Sequence, residues 1–129
     1  MAKKTICIDF DGVIHRYDSP WTTHEEIADG PVDGAIAFIK EMLADGYDVA
    51  IHSSRSHSDG GTLAMCKWFH EHLRKTETES YIEVFMNLVK FPLYKPPALI
   101  YIDDRGYRFE GKFPTVADIE RKPWNKQET

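Results

Sequence analysis

The stretch Ile6 to Val13, ICIDFDGV, constrains the chain most, because an apolar run there stops at two aspartates one residue apart. Ile6, Cys7 and Ile8, bounded by acids and a glycine, have the pattern of a short buried strand that ends at a functional edge. In extended backbone, residues i and i+2 share a face, so Asp9 and Asp11 converge. Two unpaired carboxylates that close each resist ionisation. A divalent cation resolves that conflict, and an oxygen-only ligand set that leaves room for water and phosphate suits Mg²⁺.

A length of 129 residues fits one domain, spanning 1–129, with a single core. The net charge of -5 argues against a protein whose main affinity comes from coating itself in phosphate backbone. It leaves room for a local basic patch, and for nucleic acid as a substrate. Cys7 and Cys66 fall in apolar settings, which predicts buried free thiols in a reducing compartment. The opening Met1 to Lys4 leads straight into a strand, without the apolar region of a secretion signal. No run approaches membrane-spanning length, so the expectation is an unprocessed cytoplasmic protein without membrane contact.

The interval Gly12 to Gly30 holds His15, Arg16, Tyr17, Trp21 and His24. It is longer than the usual strand-to-helix connection and adjoins an acidic strand end, where function concentrates. Asp33 to Ala44 has helical period, with Asp33 as N-cap and Gly46 as stop. Tyr47 to His52 predicts a second strand that ends at Ser53, Ser54 and Arg55. Asp59 to Lys75 predicts a helix with Leu63, Cys66, Phe69 and Leu73 on its apolar stripe and Met65 and Trp68 flanking it. His70 and His72 lack the i, i+4 spacing of a zinc pair and are placed on its solvated face. Tyr81 to Phe85 predicts a third strand. Asn87 to Pro97, with Pro92, Pro96, Lys90 and Lys95, predicts a loop. Ala98 to Ile102 predicts a fourth strand, closing on Asp103 and Asp104. Thr115 and Asp118 have capping-box-like spacing for a short helix reaching Arg121, ended by Pro123, with a frayed tail from Asn125.

Strands alternating with helices predict an α/β fold, a doubly wound parallel sheet with helices on both faces. Ligands of such sheets bind beyond the carboxyl ends of the strands, near the topological switch point. Asp9, Asp11, Ser53, Asp103 and Asp104 all fall at predicted strand C-termini, so residues far apart in sequence can meet at one edge.

Asp-Phe-Asp-Gly-Val after an apolar strand resembles the first signature of the haloacid dehalogenase (HAD) superfamily of phosphohydrolases. Ser53 resembles the second signature, Lys95 the third with Lys90 as a substitute, and the pair Asp103 and Asp104 the fourth. The resemblance covers nearly the whole chain and is to small cap-less members from bacteria and their phages. It implies a HAD-like Rossmannoid fold and a Mg²⁺-dependent phosphomonoester hydrolase that works through an aspartyl-phosphate. Asp9 would be the nucleophile. Asp11 would protonate the leaving oxygen and later deprotonate water, Ser53 would hydrogen-bond the phosphoryl group, and Lys95 would supply positive charge. Mg²⁺ would be held by Asp9, the carbonyl of Asp11 and Asp103, with Asp104 ligating through water or orienting the shell. Gly12 to Gly30 would form a turn and a flap.

No interval is long enough for a cap domain, so the site is expected to be open and to take a phosphate on a bulky molecule such as a nucleotide, a nucleic-acid end or a protein side chain. His15, Arg16, Tyr17 and Trp21 are the candidate contacts, with Ser54 and Arg55 beside the serine signature; Arg55 and Arg105 are weighted towards salt bridges rather than catalysis. The alternatives are a receiver-like signalling module or a non-hydrolytic phosphate-binding module. A receiver should carry its acceptor aspartate where Ser53 stands. A two-metal nuclease would need a second set of ligands that the chain does not display.

Overall fold

The computed structural model describes residues 4–120. Three strands, β1 (Thr5–Ile8), β2 (Asp48–Ile51) and β3 (Ile100–Ile102), form a parallel sheet in the order β2-β1-β3. Ile6, Cys7 and Ile8 lie level with Val49, Ala50 and Ile51 on one side and with Ile100, Tyr101 and Ile102 on the other. Four helices complete the described residues: α1 (Ala35–Ala44), α2 (Asp59–Leu73), α3 (Glu79–Leu88) and α4 (Val116–Glu120), with a short 3-10 turn at Ser54–His57. The class is therefore mixed α/β. The chain passes from β1 through α1 to β2 on one side, then returns through α2 and α3 to β3 on the other. The switch point thus falls between the carboxyl ends of β1 and β3.

Alternation along the strands divides the sheet. Ile6, Ile8, Val49 and Ile51 enter one core cluster with Ile39 of α1, Met65, Phe69 and Leu73 of α2, and Ile82 and Phe85 of α3. Cys7, Ala50 and Tyr101 take the opposite face by the same alternation. Both cysteines are free, Cys7 buried and Cys66 half-buried. No helix among the described residues is long and apolar enough to cross a membrane.

Several elements differ from expectation. Tyr81 to Phe85 is the middle of α3, not a strand. The β-branched and aromatic composition imitates a strand, but the Thr78 hydroxyl caps the Tyr81 amide at 3.2 Å, and Ile82 and Phe85, one helical turn apart, are the residues that bury. Only Lys90, just beyond α3, bridges to Ala50 of β2. Helix α1 starts at Ala35 behind Gly34, which takes a left-handed φ of 83° and offers no side-chain cap, so Asp33 does not cap it. In α2 the buried face is centred on Met65, Trp68, Phe69 and Leu73, while Leu63 is 55% exposed. Ser58 caps this helix through the Gly61 amide at 2.8 Å, so Gly60 and Gly61 lie in its first turn. His70 and His72 are half-buried rather than solvated, and the His72 ring lies 4.6 Å from Trp68. Thr115 and Asp118 form the reciprocal cap of α4, at 3.0 and 3.2 Å. Arg121, Pro123 and the tail from Asn125, where a helix end and a frayed terminus are expected, lie outside the described residues.

Helix α3 makes a prediction that a strand would not. Phe85→Ala should destabilise the protein by roughly 3–5 kcal/mol, as expected for an aromatic removed from a close-packed core. Val84→Ala, at a position 52% exposed, should cost under about 1 kcal/mol. Denaturant unfolding of the two variants checks this, since a strand would instead bury Ile82 and Val84 together.

Candidate active site

The site is built where β1 and β3 end. Ile8 and Ile102 are level, and the Asp9 amide donates to the Ile102 carbonyl at 2.9 Å, so Asp9 and Asp103 leave the sheet side by side. Across β1 the His52 amide donates to the Ile8 carbonyl at 3.1 Å, which brings Ser53 to the same edge. Asp9, Asp103, Ser53, Ser54 and Lys95 line one cleft of about 390 Å³, together with Cys7, His52, Tyr101, Ile102, Arg105 and Gly106. That volume suits a phosphoryl group and part of what it is attached to.

Each side chain has a local reason for its place. The Ser53 hydroxyl accepts from the Arg55 amide at 3.1 Å while the Ser53 amide donates to Ser56 Oγ at 3.1 Å, a reciprocal cap that fixes Ser53 at the mouth of the 3-10 turn. The Asp103 carboxylate accepts from the amides of Arg105 and Gly106 and so shapes the turn after β3. Lys95 Nζ lies 4.4 Å from the centre of the Tyr101 ring, and the Tyr101 hydroxyl donates to the Pro96 carbonyl at 2.6 Å, tying the lysine's loop to β3. Lys90 instead pairs its backbone with β2 and does not line the cleft, so Lys95 is the lysine at this site.

Asp104 turns towards β1. A Cβ on Gly12, whose φ is 84°, would collide with the Asp104 carboxylate, so this glycine provides both the left-handed turn and the room. Asp104 Oδ1 is buried without a hydrogen-bond partner. An oxygen-only donor set with an orphaned carboxylate oxygen fits a hard cation. Among the described residues, no three of His, Cys, Asp and Glu form a ready-made cage.

Asp9 and Asp11 are treated in opposite ways. Burial, reinforced by the negative charges of Asp104, Asp11 and Asp103 and opposed by the Phe10 amide, pushes Asp9 from its ordinary 3.8 up to about 6. Burial would also raise Asp11, but hydrogen bonds from His15 and Arg55 and the charge of Arg55 outweigh it and hold Asp11 below its usual range. His15 Nε2 accepts from the Asp29 amide at 3.0 Å, so its proton is on Nδ1, 2.9 Å from Asp11. The Asp11 carboxylate therefore faces Arg55 and His15, is not among the groups lining the cleft, and favours the ionised form. That is the reverse of what protonating a leaving group requires.

Two expected substrate contacts are corrected here. His15 is buried against Phe10 and Trp68, and Arg55 is 2% exposed, so neither presents a surface to a ligand. Arg16, paired with Asp18 at 3.6 Å, and Tyr17 are exposed on the flap, as Trp21 is, although the Trp21 ring also covers the Arg55 guanidinium at 4.4 Å. The flap's base is closed by the Arg16 amide on Gly30 (2.9 Å) and the Val32 amide on Ile14 (2.8 Å). Sequence reasoning missed His52 and Tyr101 in the cleft. His52 was legible only as a strand end, and its Nε2 is buried and unpartnered. Comparison with protein-family models, curated proteins and solved structures found no significant match to the chain.

The raised Asp9 has a thermodynamic signature. Between pH 4 and about 6 the folded state binds more protons at Asp9 than the unfolded state does, so wild type loses stability as pH rises through that window. Asp9→Asn escapes this. In the presence of EDTA its Tm advantage should grow from near zero at pH 4 to a plateau above about pH 6, as thermal melts across the range would show.

Proposed function

We propose that the chain is a Mg²⁺-dependent phosphomonoester hydrolase with a HAD-like Rossmannoid fold, working through an aspartyl-phosphate on Asp9. The observation that carries this reading is the meeting of Asp9 and Asp103 at the switch point, across a cleft from Ser53 and Lys95. Asp9 attacks phosphorus, the bond to the leaving oxygen breaks, and water then cleaves the acyl phosphate to return Asp9 and release phosphate. The Ser53 hydroxyl accepts from the Arg55 amide, which leaves its proton for a phosphoryl oxygen. Lys95 sets a cation beside the transferring group. Asp9, the Asp11 carbonyl, Asp103 and Asp104 would hold Mg²⁺, which supplies neutralisation of phosphoryl charge. Asp11, resting ionised, is suited to take the proton of the attacking water; donating one to the leaving oxygen requires its release from Arg55 and His15.

Beyond β1 the described chain has only the flap and α1 before β2, and only the 3-10 turn, α2, α3 and a loop before β3. Neither interval holds a cap. An open cleft favours phosphate on a large molecule, with nucleotides and nucleic-acid ends as the substrate class and Arg16 and Tyr17 as contacts on the flap. The engagement of Asp11 favours a second reading, a module that binds phosphate without turnover.

A Mg²⁺-dependent phosphatase screen over sugar phosphates, nucleotides and phosphorylated oligonucleotides separates the two. Hydrolysis should occur and be abolished in a folded Asp9→Asn variant, whereas binding without phosphate release supports the second reading. Tyr17→Ala should lower kcat/KM for nucleotides by roughly tenfold, the scale of one lost base stack, and leave small sugar phosphates unchanged. A strong preference for the sugars, indifferent to Tyr17, contradicts the substrate class.

A further inference from the structure

The interior of the flap converges on one side chain that the proposed chemistry leaves unused. Arg55 Nε and Nη2 donate to Asp11 at 2.9 and 3.1 Å, while Nη1 donates to the carbonyls of Thr23 (3.2 Å), His24 (2.7 Å) and Glu26 (3.0 Å). Three carbonyls turned inwards on one nitrogen concentrate negative potential that a buried cation must answer. The planar guanidinium does this with donors on two edges, one for the carboxylate and one for the loop; a lysine ammonium, a point charge, cannot span both. Arg55 is itself held rigidly. Its amide donates to the Ser53 hydroxyl, and its carbonyl sits so close to Gly61 that a Cβ there would overlap it.

We propose that Arg55 is the positioning residue of the site: one guanidinium fixes both the seat of the segment Thr23–Glu26 and the direction of the Asp11 carboxylate, so that the flap and that carboxylate are placed as a unit. The flap half of this stands on the geometry alone. The Asp11 half rests on the hydrolase reading given above.

The test is amide hydrogen exchange on the full chain with Arg55→Lys. Amides of residues 18–29 should exchange at least roughly tenfold faster while those of β1 and β2 keep their wild-type rates. Loop amides unchanged in a folded variant, or acceleration spread evenly through the chain, overturns the proposal. Should Arg55→Lys fail to fold, Trp21→Ala decides, because it removes the ring over the guanidinium from an exposed position. A rise of roughly threefold confined to the same amides supports the proposal, and no rise overturns it.

The Asp11 half is read by the step that Asp11 serves. p-Nitrophenolate departs without a proton, whereas cleavage of the aspartyl-phosphate needs the activated water, so Arg55→Lys should keep a rapid burst of p-nitrophenolate from p-nitrophenyl phosphate and lose roughly a hundredfold in the steady-state rate that follows it. Burst and steady state lost together, or a steady-state rate unchanged in the folded variant, would overturn the coupling to Asp11. If wild type does not hydrolyse p-nitrophenyl phosphate, the hydrolase reading and the Asp11 half fall together, and the exchange data still decide the flap half.

Discussion

Mutual repulsion among carboxylates at the end of a three-stranded parallel sheet is the constraint on which the rest of the site depends. Asp9 and Asp103 follow level residues of adjacent strands, and Asp104 and Asp11 flank them. Like charges brought this close in a half-buried setting must be neutralised by protons, by cationic side chains or by a metal. The chain uses two of these locally. Asp9 is pushed towards its protonated form, and Asp11 is neutralised by a guanidinium. Asp104 Oδ1 is buried without a hydrogen-bond partner, the observation that supports the cation site proposed above.

The contrast between Asp9 and Asp11 follows from backbone geometry. Asp9 directly follows the last residue of β1 and lines the cleft. Immediately after it the chain turns tightly, with the Phe10 carbonyl accepting from the amides of Ile14 and His15, both at 2.9 Å, and Gly12 in the left-handed region. That turn brings His15 back onto Asp11 and sends the flap over Arg55. Two carboxylates two residues apart thereby acquire opposite tendencies, Asp9 raised and Asp11 lowered. Ionised Asp11 also contributes stability that is present above its unfolded pKa and lost as pH falls through its depressed folded value.

Much of this was legible in the sequence, for definable reasons. β1, β2, α1 and α2 declare themselves by apolar period and by where polar residues interrupt it, and the acidic strand ends fall where the sheet places them. The segment Tyr81 to Phe85 misled because four of its five residues are β-branched or aromatic and fit a strand as well as a helix; the Thr78 cap and the one-turn spacing of Ile82 and Phe85 decide it. The partnership of Arg55 with Asp11 across 44 residues of sequence, and of His15 with the Asp29 amide, is tertiary, and no local pattern encodes it. Arg55, weighted towards a salt bridge, could not be given its partner, and His15 read as a substrate contact, because their burial is visible only once those partners are in place.

The account turns on whether the converging carboxylates bind a divalent cation through Asp9. Mg²⁺ titration by calorimetry, in buffers of different ionisation enthalpy near pH 6, measures affinity and proton release together. The account predicts 1:1 binding that releases a fraction of a proton, because the metal displaces it from an Asp9 whose pKa lies near 6. It also predicts weaker binding at pH 5 and loss of binding in folded Asp9→Asn. No Mg²⁺ binding by wild type, or equal affinity and no proton release in both proteins, would contradict it.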